Sequence, residues 1–498
     1  MAQFDITQFG AIGDGVTDNT AAIAKAIEAC SEAGGGTVVV PAGTFVTGPI
    51  QLKSNMVFYV GAGATILFSD DFERYTPVES RWSGYECYSY SPLLFGTGLK
   101  NVSVKGEGVI DGQGKKWWNA YRELKKGVLP DSGIRTQLLE LNRAKLESIK
   151  SNIVEMETQF LRPPLFQLIN CEHVVIEGIT LQNSPFWNTH LVYCNDVIIH
   201  GATIRNPSDT PNGDGIDLDS CVNVRVSDCF FDVGDDCLCL KSGIDEDGRR
   251  VGRPTENVAV TNCTMLRGHG GVVLGSEMSG DIRNVVISNC IFIGTDRGIR
   301  LKTNRARGGI VEDLRVSNIF MKDVLCPLAI NGFYRYGVDE SNPLMTSQEA
   351  VPVGEGTPII RGLYISDITA KNALAAAGFI YGLPEMPIED VVLKNITIEM
   401  TLNPDEQGGE PDMVREHRIM AGDGVLCKHV RGLEIQGVRI ETRQGPALLL
   451  EDSQDVTVSG LDMRRRHNDT PVISASKVAG LNVTGARSDE AGYLALNS

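Results

Sequence analysis

Residues 284–289 read Asn284-Val285-Val286-Ile287-Ser288-Asn289, and the same short pattern returns through most of the chain. A polar or glycine residue is followed by an aliphatic, any residue, an aliphatic, any residue, and then Asn, Asp or Gly. Copies begin at Asn101, His173, Asp196, Asn223, Asn257, Asn284, Asp313, Gly362, Asp390, Gly432, Asp455 and Gly480. From His173 onward the steps are 23, 27, 34, 27, 29, 49, 28, 42, 23 and 25 residues. Alternating aliphatics mark a strand with one buried face. A shared step in the twenties, lengthened in a few turns, marks coils that carry insertions. The sixth position is always Gly, Asn or Asp, the residues that tolerate φ > 0, so one bend recurs in every coil. Leucine-rich repeats have similar periods, but their L-x-x-L-x-L half is missing here. The reading is an all-β, single-stranded, right-handed parallel β-helix: one solenoid domain over residues 1–498.

Working outward, residues 1–100 supply an N-terminal cap and the first coils. Within them Asn19 to Ala33 is an amphipathic helix pattern, suited to covering the open end of a solenoid. Two stretches break the rhythm. Residues 113–160 read as a partly helical insertion, with Leu139, Leu146 and Ile153 seven apart and Ile149 and Met156 likewise. Packing on the β-helix wall or over a cleft edge is preferred to a coiled-coil seam, because Asn142 interrupts the apolar stripe. Residues 325–360 read as a long cleft-side loop carrying Phe333, Tyr334 and Tyr336. Cys229, Cys263 and Cys290 each follow the bend position and are expected to stack inside the coils rather than form disulfides. Cys237-Leu238-Cys239 is read as core packing.

Composition narrows the function. The chain has 46 Lys+Arg against 63 Asp+Glu, a formal charge of −17, which argues against nucleic acid as a general partner. It does not exclude an anionic sugar held by local cations. No apolar run reaches the ~18 residues of a membrane span. The 54 glycines fit frequent turns rather than collagen or a linker. The start, Met1-Ala2-Gln3-Phe4, shows no signal peptide, so the expected location is cytoplasmic, with secretion or periplasmic export after loss of a leader as the alternative.

Aligning four coils on their second strand brings the chemistry together. Ile216/Leu218, Leu238/Leu240, Val272/Leu274 and Ile299/Leu301 fall in register and point inward, so the residues between them point outward. Asp214 then lies over Asp236, one inter-strand spacing of about 4.8 Å away. Asp235 lies over His269, and Arg300 and Lys302 emerge on the same face. Turn chemistry alone explains an Asp or Gly before a strand. It does not explain three carboxylates, a histidine and two cations in one patch. Inverting glycoside hydrolysis needs one carboxylic acid to protonate the leaving oxygen and a carboxylate about 6.5–9.5 Å away to activate water. Crowding among carboxylates keeps one member protonated. Two cations imply an anionic substrate.

Asn212-Gly213-Asp214, Gly234-Asp235-Asp236, Gly268-His269-Gly270 and Arg300-Leu301-Lys302 together resemble the N-T-D, G-D-D, G-H-G and R-I-K motifs of polygalacturonases, glycoside hydrolase family 28. Ser184-Pro185-Phe186-Trp187 and Lys241-Ser242-Gly243 are similar to bacterial members. Gly213 replaces Thr and Leu301 replaces Ile, and neither change removes a reacting group. The resemblance implies a pectin lyase-like β-helix that hydrolyses α-1,4-galacturonosyl bonds with inversion and with no metal or cofactor. It implies Asp235 as general acid, Asp214 and Asp236 as the water-activating pair, and His269 as a neighbour that tunes Asp235. Arg300 and Lys302 grip galacturonate carboxylates, Asn212 supports the site, and Tyr334 contacts sugar. The expected partner is a pectic oligo- or polysaccharide. Exo action is favoured because long insertions could block one end of a groove. Endo action and a rhamnogalacturonan or xylogalacturonan hydrolase of the same family are the alternatives, with a non-catalytic carbohydrate-binding β-helix as a different class.

Overall fold

Each of the twelve copies of the six-residue pattern forms a strand in the computed structural model, and each pairs in parallel with the copy in a neighbouring coil. The structure describes residues 2–148, 154–336, 342–414, 418–464, 470–488 and 494–497. Every sixth-position residue has positive φ, from Gly106 at 126° to Asn395 at 51°. The first position is left-handed as well, including Asn101, Asp196, Asn223 and even His173 at 56°. Both ends of the pattern are therefore bends, where the sequence reading found one. The signal was present: the first position is Asn, Asp or Gly in every copy but the one at His173.

The chain divides into two compact units, residues 1–239 with 255–258, and residues 240–254 with 259–498. In the first unit the amphipathic segment forms the helix Thr20–Glu32, burying Ile23, Ala26, Ile27 and Cys30. One sheet stacks Val38, Phe58, Val104, Ile176, Ile199 and Val226 residue on residue. All six are buried, and each such side chain contributes roughly 1.5–3 kcal/mol over an exposed one. A second sheet runs through Leu94–Thr97, Phe166–Ile169, Thr189–Val192 and Ile216–Asp219. Its inward column is Leu168, Leu191 and Leu218, and its outward column is Gln167, His190 and Asp217.

The second unit repeats the plan. Ile287, Val316, Ile365, Leu393, Ile435, Val458 and Val483 stack in one sheet. Leu274, Leu301, Ile330, Ile380, Cys427 and Leu450 stack in another. Side-chain amides reinforce the bends: Asn318 donates to Asn289 at 2.8 Å and Asn395 to Asp367 at 2.6 Å.

The insertions differ from their sequence reading in detail. Among the described residues of 113–160 the helices are Lys115–Leu124, Gly133–Leu141, Arg143–Ser148 and Val154–Thr158. Asn142 sits at the break between the second and third. Its buried amide donates to the Tyr88 carbonyl and to Gln159, and accepts from the Tyr88 N–H. Ile149 and Ile153 lie outside the described residues. Trp117 packs among Phe72, Tyr75, Tyr90 and Phe160, so this insertion is fastened to its own unit. Residues 325–360 are not loop throughout: Cys326–Asn331 is a strand paired to Arg297–Lys302. Cys229, Cys263 and Cys290 are buried free thiols, as read. Cys171, Cys194 and Cys221 are buried free thiols too, donating to the Ile169, Leu168 and Leu191 carbonyls at 3.4, 3.4 and 3.1 Å.

Gly106 tests the bend. Its φ is 126°, and an added Cβ would meet the Val60 carbonyl oxygen at 2.0 Å. Gly106→Ala is expected to destabilise the protein by about 3 kcal/mol or more, read as a fall in thermal midpoint.

Candidate active site

The strand Ile216–Asp219 follows directly on Asn212-Gly213-Asp214, and the carboxylates sit where the column argument places them. Gly215 N–H donates to the Asp236 carbonyl at 2.9 Å, and Asn188 N–H donates to the Asp214 carbonyl at 2.9 Å. Asp214 and Asp236 are therefore neighbours one rung apart, and both are buried. Asp235 is half-buried beside them, its side chain accepting from the Asp236 N–H at 2.9 Å. Cys239 is not simply core packing. It alternates with inward Leu238 and Leu240, and its thiol donates to Asp236 Oδ2 at 3.3 Å. Ligand atoms of Asp214, Asp236 and Cys239 lie within 4.8 Å of one another, the one group among the described residues with the donors to hold a cation. Burial first, and then the negative charges of Asp236, Asp232, Asp214 and Asp235, push the neighbouring Cys237 thiol well up.

Arg162 holds the loop in front of these carboxylates. It is fully buried, its guanidinium 3.9 Å from the Tyr121 ring centroid. It donates to the Pro185 and Pro211 carbonyls at 2.9 and 2.8 Å and to Asn212 Oδ1 at 2.7 Å. Asn212, at φ 53°, is thus fixed from the end of the helical insertion. Sequence reasoning missed Arg162, which lies outside the repeat.

It also missed the antiparallel hairpin of Pro77–Trp82 and Tyr85–Tyr90. This hairpin covers the outward face of the second sheet in the first unit. Ser80 donates to Gln167 at 2.9 Å, and Trp82 Nε1 donates to the Arg162 carbonyl at 3.1 Å. Arg81 forms a fully buried pair with Asp219 at 3.0 Å.

In the second unit, His269 is half-exposed, with Nδ1 2.6 Å from Asp296 Oδ2. Burial raises Asp296, but His269 and Arg297 outweigh it and hold its carboxyl below the usual range. Arg300 and Lys302 alternate with inward Ile299 and Leu301. The Tyr334 ring lies 5.6 Å from the Arg300 guanidinium and 5.2 Å from the Lys302 ammonium. These three residues of the expected set are brought together. Arg300 is buried against Asp412, with Nη2 2.6 Å and Nε 3.0 Å from Oδ1. Lys241 pairs with Glu277 at 2.7 Å, both buried. Burial raises Glu277, but Lys241, Arg307 and Lys302 outweigh it and bring its pKa to about 2.

Stacked, buried carboxylates on a parallel β-helix fit the carboxylate chemistry of a glycosidase. The chain belongs to glycosyl hydrolase family 28. Residues 147–407 match the family described as Glycosyl hydrolases family 28. Residues 3–123 match one described as Rhamnogalacturonase A/epimerase, pectate lyase-like. A probable polygalacturonase of Vitis vinifera is 33% identical over 406 residues, covering 79% of this chain and 74% of that protein. The exo-poly-alpha-D-galacturonosidase of Dickeya chrysanthemi is 30% identical over 390 residues, 74% of this chain and 63% of that protein. Among solved structures, a hyperthermoactive exopolygalacturonase from Thermotoga maritima superposes with a TM-score of 0.72 at 33% identity, covering 88% of this chain and 91% of the other. The fold is accordingly the right-handed parallel β-helix, and the protein is an enzyme, a glycoside hydrolase.

The Glu277 pair has a pH signature. Because the folded pKa lies below the ordinary 4.5, its stabilisation is fully present above 4.5 and is lost as pH falls towards 2. Glu277→Gln leaves the Lys241 ammonium buried without its counter-charge. It is expected to cost roughly 3–5 kcal/mol near neutral pH. In thermal denaturation of both proteins, the gap between wild type and variant should close below pH 4.5.

Proposed function

We propose that the enzyme hydrolyses α-1,4-galacturonosyl linkages with inversion, releasing galacturonate units from the ends of polygalacturonate or its oligomers. The observation that carries the reading is the stacked, buried pair Asp214 and Asp236 with Asp235 beside it. In this reading Asp235 protonates the leaving glycosidic oxygen, and Asp214 and Asp236 hold and activate the attacking water. His269, paired to Asp296, acts as the tuning group for the acid. Arg300 and Lys302 take the uronate carboxylate, with Tyr334 packed against both, and Asn212 braces the loop that carries Asp214. No metal is assigned a step.

Exo action is supported by the hairpin of residues 77–90, which packs on the outward face through Gln167 and Asp219. The names of the Dickeya and Thermotoga proteins support the same reading. The substrate is the pectic partner; neither nucleic acid nor a membrane is assigned. Among the described residues no helix is long and apolar enough to cross a membrane. A cytoplasmic location belongs to the same proposal and is supported by the twelve cysteines, all carried as free thiols.

Two experiments test this reading. Digestion of oligogalacturonides of defined length should release monomer from the first time points. A ladder of intermediate oligomers would mean endo action, and an unsaturated product absorbing in the ultraviolet would mean a lyase. Asp235→Asn should lower kcat by about 10²–10⁴-fold with binding of oligogalacturonide retained, measured by calorimetry beside turnover.

A further inference from the structure

We propose that Asp412 is the positioning residue of the anion grip: it sets the Arg300 guanidinium for the sugar carboxylate and thereby sets the preference for unesterified over esterified substrate. This rests on the reading that Arg300 receives that carboxylate.

Asp412 is fully buried and lies beyond the residues matched to the family. One of its oxygens, Oδ1, accepts from Arg300 Nη2 at 2.6 Å, Arg300 Nε at 3.0 Å and the Met413 N–H at 2.8 Å. The other, Oδ2, accepts from Asn331 Nδ2 at 3.2 Å. Burial raises its pKa, but Arg300 and Arg297 outweigh this and hold the carboxyl below the usual range. The carboxylate is therefore ionised and fully engaged.

Its own loop is fastened at the same place. Arg297 donates to the Pro411 and Glu410 carbonyls at 3.1 and 2.8 Å. Arg335 pairs with Glu410 at 2.9 Å. Tyr334, whose ring faces both Arg300 and Lys302, bridges to Val414 on the far side of Asp412. One loop thus holds the guanidinium and the ring packed against it.

A guanidinium has five donors in a rigid fork, and an arginine free to rotate loses side-chain entropy when it grips a ligand. Asp412 removes that freedom beforehand, so the fork is set before substrate arrives. A methyl ester lacks the charge that makes a fork-held hydrogen bond strong. Orientation of Arg300 therefore governs the distinction between acid and ester.

The test uses the full chain with Asp412→Ala and Asp412→Asn, assayed on trigalacturonate and on its methyl ester. Asp412→Ala is expected to raise KM for trigalacturonate about 10-fold or more, with kcat changed less than about 3-fold and the acid-over-ester preference reduced by a similar factor. Asp412→Asn keeps an oxygen for Nε and Nη2 and should hold KM within about 3-fold of wild type. The double variant with Arg300→Ala should be no worse than Arg300→Ala alone, because the residue acts through Arg300. An unchanged KM in folded Asp412→Ala overturns the proposal. So does an equal loss on acid and ester, or additive losses in the double variant. If Asp412→Ala does not fold, Asp412→Ser takes its place, and an unchanged KM in folded Asp412→Ser overturns the proposal. A wild type inactive on trigalacturonate overturns both this role and the functional reading. An active wild type with indistinguishable variants overturns the role of Asp412 alone.

Discussion

In-register parallel pairing between consecutive coils is the constraint on which the rest of the structure depends. Each strand places its aliphatic residues on those of the coil before it, as in Val104, Ile176 and Ile199. The register cannot slip by one residue without turning every inward side chain to solvent. Left-handed residues at both ends of the six-residue pattern return the chain to the same register in each coil. Once that is set, outward residues have no choice of neighbour. Asp214 and Asp236 become adjacent because Ile216, Leu218, Leu238 and Leu240 occupy the core, not because the carboxylates attract one another.

Holding charges this deep requires partners. The structure neutralises its buried cations locally: Arg81 with Asp219, Lys241 with Glu277, Arg300 with Asp412 and Arg307 with Asp245. Such pairs add little net stability over an apolar core, and their value lies in fixing the direction of each group. A chain with net charge −17 thereby keeps its buried cations oriented. The carboxylates of the first unit are the contrast. They are crowded with one another and with the Cys239 thiol, an arrangement that stability alone does not favour.

The repeat, the bends, the capping helix and the column of Asp214 over Asp236 were all legible in the sequence, because a period of two residues within strands and a period in the twenties between them are local signals. The same logic separated inward Leu238 and Leu240 from the residues between them, although it assigned Cys239 to the core when the alternation already placed it outward. Other parts carried no such signal. Arg162, the hairpin of residues 77–90 and Asp412 lie outside the repeat. Asp412 meets Arg300 across 112 positions of sequence, and nothing in either local stretch announces the other.

The amino-acid sequence by itself determined the β-helix, the positions of its bends and the stacking of Asp214 over Asp236, since each follows from periodicity and side-chain chemistry along the chain. The tertiary structure alone decided which end of the sheet face the hairpin covers, which residue steadies the loop of Asn212 and which carboxylate holds Arg300. Those contacts are made by loops, whose course is set by packing and charge pairing against coils already built rather than by any repeat of their own.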